Sequence, residues 1–364
     1  MSLSSTEAAL AGVLAQGGWN VGSFDAVLEV LLDPTIWLGA AAGGAFGAAL
    51  GALPAFVFTG FLVIAGVWGG DAAQGVGVDV GFGPVFGPHI SFAGGVAAAS
   101  YAAKKGGIES GFDYHNAKDI TVALGSKPDI LAVGAVFGVF GIALEQLLRN
   151  MAIPTDPIAF TVVASAIVAR AAFGYSIIGN LSDKANGYMD MGPFEREEMR
   201  EPNEVPGDGE KDSEDRLAVE PWLPNMYKWS HVASIGIVAG LAGAYAAIQT
   251  GSPFLGFGIS AASLLFLNLG IGKIPVTHHM TLPAATAYLA TTGTGFSPTG
   301  AILVAGFFGF LGAIVGEAFQ RVFYAHGDTH VDPPAASIAI THTIIAILSI
   351  LGILGTAVWV PGAV

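Results

Sequence analysis

Apolar residues run in ten blocks separated by short polar breaks: about 35–50, 53–69, 85–103, 129–150 and 157–175, then 231–250, 252–270, 276–292, 299–322 and 335–358. Several approach the roughly 20 residues that cross a hydrocarbon core as a helix. The pattern predicts an all-α integral membrane protein, multi-pass in the cell membrane, with about ten transmembrane segments. The blocks also fall into two sets of five that are written alike. Residues 130–149 read ILAVGAVFGVFGIALEQLLR and residues 302–321 read ILVAGFFGFLGAIVGEAFQR. Glu145 aligns with Glu317 and Arg149 with Arg321 without a gap. Asp156-Pro157 and Asp332-Pro333 follow the two copies, and upstream Pro88-His89-Ile90-Ser91 faces His278-His279-Met280-Thr281.

This duplication divides the chain into an N-terminal segment (1–33) with short interfacial helices, a first membrane repeat (34–175), an acidic cytoplasmic linker (176–228) and a second membrane repeat (229–364). Within the linker the run from Met199 to Arg216 is polar, charged and rich in Pro and Gly, and is expected to be mobile or disordered. Five crossings per half is an odd number, so the two repeats would be inverted. With the N-terminus outside, thirteen of the fourteen Lys and Arg fall in the cytoplasm and only Arg149 falls outside. If 85–103 and 276–292 instead dip in and return, the repeats run parallel, and twelve of fourteen are cytoplasmic with the N-terminus inside. Charge barely separates the two. The inverted arrangement is preferred because it is common among transporters.

Composition fits the membrane reading. Hydrophobic residues make up 53% and charged residues 12%, with mean hydropathy +0.63, where soluble domains carry about 25% charged residues. Glycines recur every fourth residue at Gly39, Gly43, Gly47 and Gly51, and again at Gly236 and Gly240. That spacing lines one helix face with small residues and predicts that the first span of each half packs inside the bundle. There is no cysteine, which excludes disulfides and thiolate chemistry. The net charge of -14 is concentrated outside the apolar blocks, with thirteen acids between Asp183 and Glu220. No basic patch exists to hold nucleic acid, and the N-terminus lacks the order of a cleaved signal.

Four groups of residues could carry chemistry. Gly and Pro before His89 and His279 predict broken backbone that starts each helix late, which at membrane depth survives only if buried or lining water. His89, Ser91, His278, His279 and Thr281 are therefore the candidate substrate path; the rival reading is that Ser91 and Thr281 cap helices while the histidines satisfy freed carbonyls. The pairs Glu145/Arg149 and Glu317/Arg321 share a helix face at i, i+4, either as gates or as mutually neutralised charges near helix ends. Asp156 and Asp332, each before a proline, are expected to cap helices. His326, Asp328, His330 and Asp332 alternate along one loop and could converge on a divalent metal ion. His342 and Arg170 are the remaining polar residues of the closing segments and are expected to have local partners.

The acidic loops, the absence of Cys and the Gly- and Ala-rich spans resemble uncharacterised polytopic membrane proteins of haloarchaea. The five-plus-five plan with half-helices is similar to that of urea-channel-type proteins, a likeness of fold without that family's motifs. No His-Glu-x-x-His, Gly-x-Ser-x-Gly or phosphate-loop pattern occurs, so an enzyme is not expected. The expected function is a channel or secondary transporter for a small solute or ion, sited between the repeats. A scaffold protein without transport is the alternative, and a metal-dependent membrane enzyme a more distant one. Small-residue faces lead to the expectation of a homo-oligomer, of an order that the sequence does not give.

Overall fold

Proline at the first turn marks where the chain turns helical. It follows Asp33, Asp156, Ser297 and Asp332, whose side chains accept the free N–H of Thr35, Ala159, Gly300 and Ala335 at 2.8–3.1 Å. The structure, a computed structural model, describes residues 32–361 except 70–72, 74, 109–113 and 202–215. The first half supplies helices α1 (Pro34–Leu50), α2 (Ala52–Trp68), α3 (Ala93–Lys104), α4 (Pro128–Asn150) and α5 (Pro157–Phe173). The second supplies α6 (Trp229–Thr250), α7 (Phe254–Asn268), α8 (His278–Ala290), α9 (Pro298–Phe323) and α10 (Pro333–Ile350).

Four of these, α4, α6, α9 and α10, are long and apolar enough to cross a bilayer. The pair α1 and α2, bent by 119°, makes a fifth span if counted as one. The bend sits at Gly51, whose φ of 94° a side chain would strain. The helices α5 and α7 are apolar but shorter. As expected from Gly87 and Pro88, α3 starts late, after a wide turn over Pro88–Phe92. The last apolar block ends sooner than its hydropathy implied: α10 stops at Ile350, and Gly352 at φ 72° turns the chain away.

Glycine decides which helices touch. Gly44 of α1 lies on the backbone of Gly134 and Gly138 in α4, and Gly240 of α6 lies on Gly309 in α9. Both pairs run antiparallel, since Gly138 also meets Ala40, and Gly236 meets Ala313. A methyl group at these contacts would overlap backbone, and such closeness is what lets apolar helices gain dispersion from one another. The glycine stripes are met within the chain: Gly39, Gly43, Gly47 and Gly51 by Pro84, Val85, Ser91 and Val122, and Gly236 and Gly240 by α9. Between halves, Gly60 of α2 lies against Gly258 and Ala262 of α7, and α5 packs against α10.

Loops gather in two groups. At one end Leu53 N–H donates to Ile120 O, Tyr175 Oη to Ser100 O, Asn180 N–H to His326 O, Glu220 N–H to Ala325 O and Asn225 Nδ2 to Gly272 O. We call this the linker end. At the far end Gly355 N–H donates to Ala290 O, and Phe254 packs between Phe82 and Trp359.

The linker differs from expectation. Residues 202–215, most of the run expected to be disordered, lie outside the described residues. The ends of that run pair as an antiparallel bridge between Met199 and Leu217, and Arg200 and Arg216 are buried. The expected N-terminal helices lie outside the described residues apart from Leu32 and Asp33.

Candidate functional site

A cavity of about 1270 Å³ lies between the two halves. It exceeds the roughly 300–1,000 Å³ of an ordinary small-molecule pocket. Its lining reaches from Pro84, Thr356 and Trp359 at the far end, past His89, Glu145, Asp156 and His278, to Lys118, Leu217 and Asn268 at the linker end. The walls are largely aromatic and aliphatic.

The broken backbone before α3 and α8 delivers the histidines as expected. His89 O rests on Gly141 of α4, and His279 O rests on Gly312 of α9, so the two segments sit alike in their halves. His89 is 1% exposed, lines the cavity, and among the described residues has a hydrogen-bond partner on neither ring nitrogen. A buried polar atom left unpaired costs about 1–3 kcal/mol, and at His89 that atom faces the cavity. His278 also lines the cavity, its ring 4.9 Å from Phe56 and its Nδ1 without a partner among the described residues.

The other three candidate path residues, Ser91, His279 and Thr281, do not line the cavity. Ser91 packs its backbone against Gly47, and Thr281 donates to His278 O and packs against Gly243. His279 lies against Trp222 and Gly316. A hydroxyl at i+2 on a helix falls on a different face from the histidine.

Both charge pairs form as their spacing predicts. Glu145 accepts from Arg149 and Glu317 from Arg321, each at 2.6 Å, and all four are largely buried. A glutamine completes each: Gln146 donates to Glu145 and Gln320 to Glu317. Arg321 reaches on to Met189 O and Tyr227 O and lies over Trp229. Of the two carboxylates only Glu145 lines the cavity.

The metal expectation is corrected. Among the described residues no three His, Asp or Glu side chains are placed to hold an ion. Asp328 is bound by Arg216 at 2.6 Å, His326 Nε2 faces Tyr188 O at 3.3 Å, and Asp332 caps α10 while its other oxygen faces His330 Nε2 at 3.2 Å. Alternation aligned these residues along the chain, but Arg216 and Tyr188 claim Asp328 and His326, while His330 and Asp332 pair with each other.

The residues that sequence reasoning passed over close the linker end. Lys118 bonds Glu220 at 2.5 Å, Arg216 bonds Glu220 at 2.9 Å, and Arg216 also bonds Asp328, all nearly fully buried. Burial raises the Glu220 carboxyl, but Arg216 and then Lys118 outweigh it and hold it at about 2. Asp328, likewise raised by burial and lowered mainly by Arg216, is also held at about 2. Burial holds the His326 imidazole down at about 4, so it is neutral at pH 7. Arg170, fully buried, donates to Thr329 O and Oγ1 of the other half and to Ile177 O. His342 sits between Asp156 Oδ2 at 3.0 Å and Thr286 Oγ1 at 3.1 Å. Its partner is thus the cap of the opposite half, not a local group.

Residues 26–363 match the model of DUF7973, a family of unknown function. No match was found among curated proteins or among solved structures. The chain belongs to the DUF7973 family.

Proposed function

We propose that this DUF7973 protein carries a small solute or ion across the membrane through the cavity between its halves. The observation that carries the reading is the extent of that cavity, whose lining draws on both loop clusters, with the unpartnered His89 inside it. A protein that only packs with itself or a partner has no need of such a void, because apolar interiors fill to crystal-like density.

We read the ten helices as ten crossings in two repeats of opposite sense. Several contacts support this. The helix α1 leaves Pro84 and Val85 at the far end and reaches Val122 at the linker end. Its counterpart α6 leaves Tyr227 at the linker end and runs antiparallel to α9. Asp156 beside His342 fits α5 and α10 running antiparallel with their N-termini overlapping. Half-helix N-termini meeting in mid-bundle are the usual site of binding in inverted-repeat transporters. Alternating access would then move one half against the other around Asp156 and His342. No catalytic role is proposed.

The absence of native cysteine makes the test direct. Ile158→Cys and Leu267→Cys face the cavity; Val238→Cys and Leu303→Cys are 62% and 68% exposed on the outer surface. A membrane-impermeant thiol reagent needs water and thiolate. The path reading expects the first two to react in proteoliposomes and the last two to stay silent. Silence at Ile158 and Leu267 would mean a dry centre and would return the scaffold reading.

A further inference from the structure

The cavity wall is an unbroken run of rings drawn from both halves. Trp359, Phe254, Phe82, Phe257, Phe56 and Phe92 follow one another with centroids 5.1–5.8 Å apart. The run continues through His330 to Tyr324 at the linker end, at 5.7 and 5.4 Å. On that last ring the ammonium of Lys118 sits 4.6 Å from the centroid. The chain's own cation thus already occupies one end of the series.

The charges lining the void lean one way. Asp79, Glu145, Asp156 and Asp332 face it, against Lys118 and Arg149. Arg149 and Glu145 satisfy each other and Lys118 is held by Glu220, which leaves Asp79, Asp156 and Asp332, the last two also capping α5 and α10 and facing histidines. Among the described residues an anion would find no uncommitted Lys or Arg here. A small inorganic cation would find carboxylates separated by apolar walls and no cluster of ligands among those residues. The unpartnered nitrogens of His89 and His278, buried and lining the same void, are the independent mark of a ligand site. A neutral imidazole turns a lone pair towards the positive charge or the polarised C–H groups of a cationic guest.

We infer that the cavity binds lipophilic organic cations, held by the negative faces of the ring series and by the carboxylate excess. Aromatic faces attract cations most strongly where water is excluded, and the low-dielectric surroundings strengthen the field of the acids. The inference rests on the path reading above and narrows it to one substrate class.

The test uses tetraphenylphosphonium and tetraphenylborate, which share size and shape and differ in sign of charge. Binding of each to the full chain in lipid nanodiscs is measured against empty nanodiscs. Labelling of the Ile158→Cys variant is followed in the same preparation. Tetraphenylphosphonium is expected to bind saturably and to shield the introduced thiol, and tetraphenylborate to do neither. Phe82→Ala with Phe257→Ala, added to Ile158→Cys, should weaken the cation about tenfold. That variant should elute in size-exclusion chromatography as the Ile158→Cys parent does, which shows that the fold has survived, and its thiol should stay reactive. If the thiol reacts but the phosphonium does not bind, or the borate binds as well, the cation assignment falls and the path stands. If the thiol is silent and nothing binds, both fall.

Discussion

The charge network at the linker end makes a quantitative claim. Glu220 is in contact with both Lys118 and Arg216, and all three are shut away from water. Replacing it by Gln keeps the shape and removes one negative charge. Among the described residues that leaves Asp328 as the carboxylate bonded within the cluster, against Arg216 and a Lys118 that burial already holds down at about 7 even with Glu220 beside it. Breaking a buried pair by deleting one partner costs about 3–5 kcal/mol, because the remaining charge has lost its solvent and its counter-ion together. For a chain of this length that corresponds to a melting point lower by on the order of 5 °C. Glu201→Gln is the control: Glu201 meets Lys184 at 2.8 Å, but it is more than half exposed, so its removal should cost less than about 1 kcal/mol. Adding Lys118→Met to Glu220→Gln leaves Arg216 paired with Asp328 and should recover most of the loss. Intrinsic fluorescence during heating in detergent measures all four proteins. A drop for Glu220→Gln no larger than for Glu201→Gln, or no recovery in the double variant, would refute the reasoning.

Acid should act on the same cluster. Glu220 and Asp328 are held at about 2, below their ordinary 4.5 and 3.8. The stability they supply is present above pH 4.5 and is lost as pH falls towards 2. Melting temperatures measured from pH 7 to pH 3 should decline below pH 4.5, and less steeply for Glu220→Gln; parallel profiles would contradict the assignment. Gly44→Val would drive side-chain atoms into the Gly134 carbonyl, so α1 and α4 must separate and monodisperse protein should be lost in size-exclusion chromatography. Gly295→Ala, with open space around it, should elute as the parent does.

What could be read in the sequence was local. The Asp-Pro caps close over three residues, the Glu–Arg pairs over four, and the histidine segments announce themselves by the Gly and Pro before them. Each depends on a geometry that the neighbouring residues impose by themselves. The ties that organise the site span the chain: Lys118 to Glu220 across 102 residues, Arg216 to Asp328 across 112, Arg170 to Thr329 across 159 and Asp156 to His342 across 186. Spacing carries no trace of such pairings. Lys118 and Arg216 read as surface charges because their residue types usually are. The His326–Asp332 loop read as a ligand set because alternation shows direction but not which neighbour arrives first. The aromatic wall was visible only as separate phenylalanines, and it took the meeting of the two halves to put them in one row.

The Asp156–His342 bond also sets an order of events during synthesis. The α5 cap is made 186 residues before the imidazole that completes it. At about 5–20 residues per second, that is roughly ten to forty seconds of translation. Through most of that interval Asp156 and Arg170 lack the second-half partners they will have later, and Lys118 waits 102 residues for Glu220. The nascent first repeat is therefore an open half-site, dependent on the insertion machinery or on lipid headgroups to shelter its charges. A ribosome stalled between the repeats would leave a product fit for degradation rather than a working half.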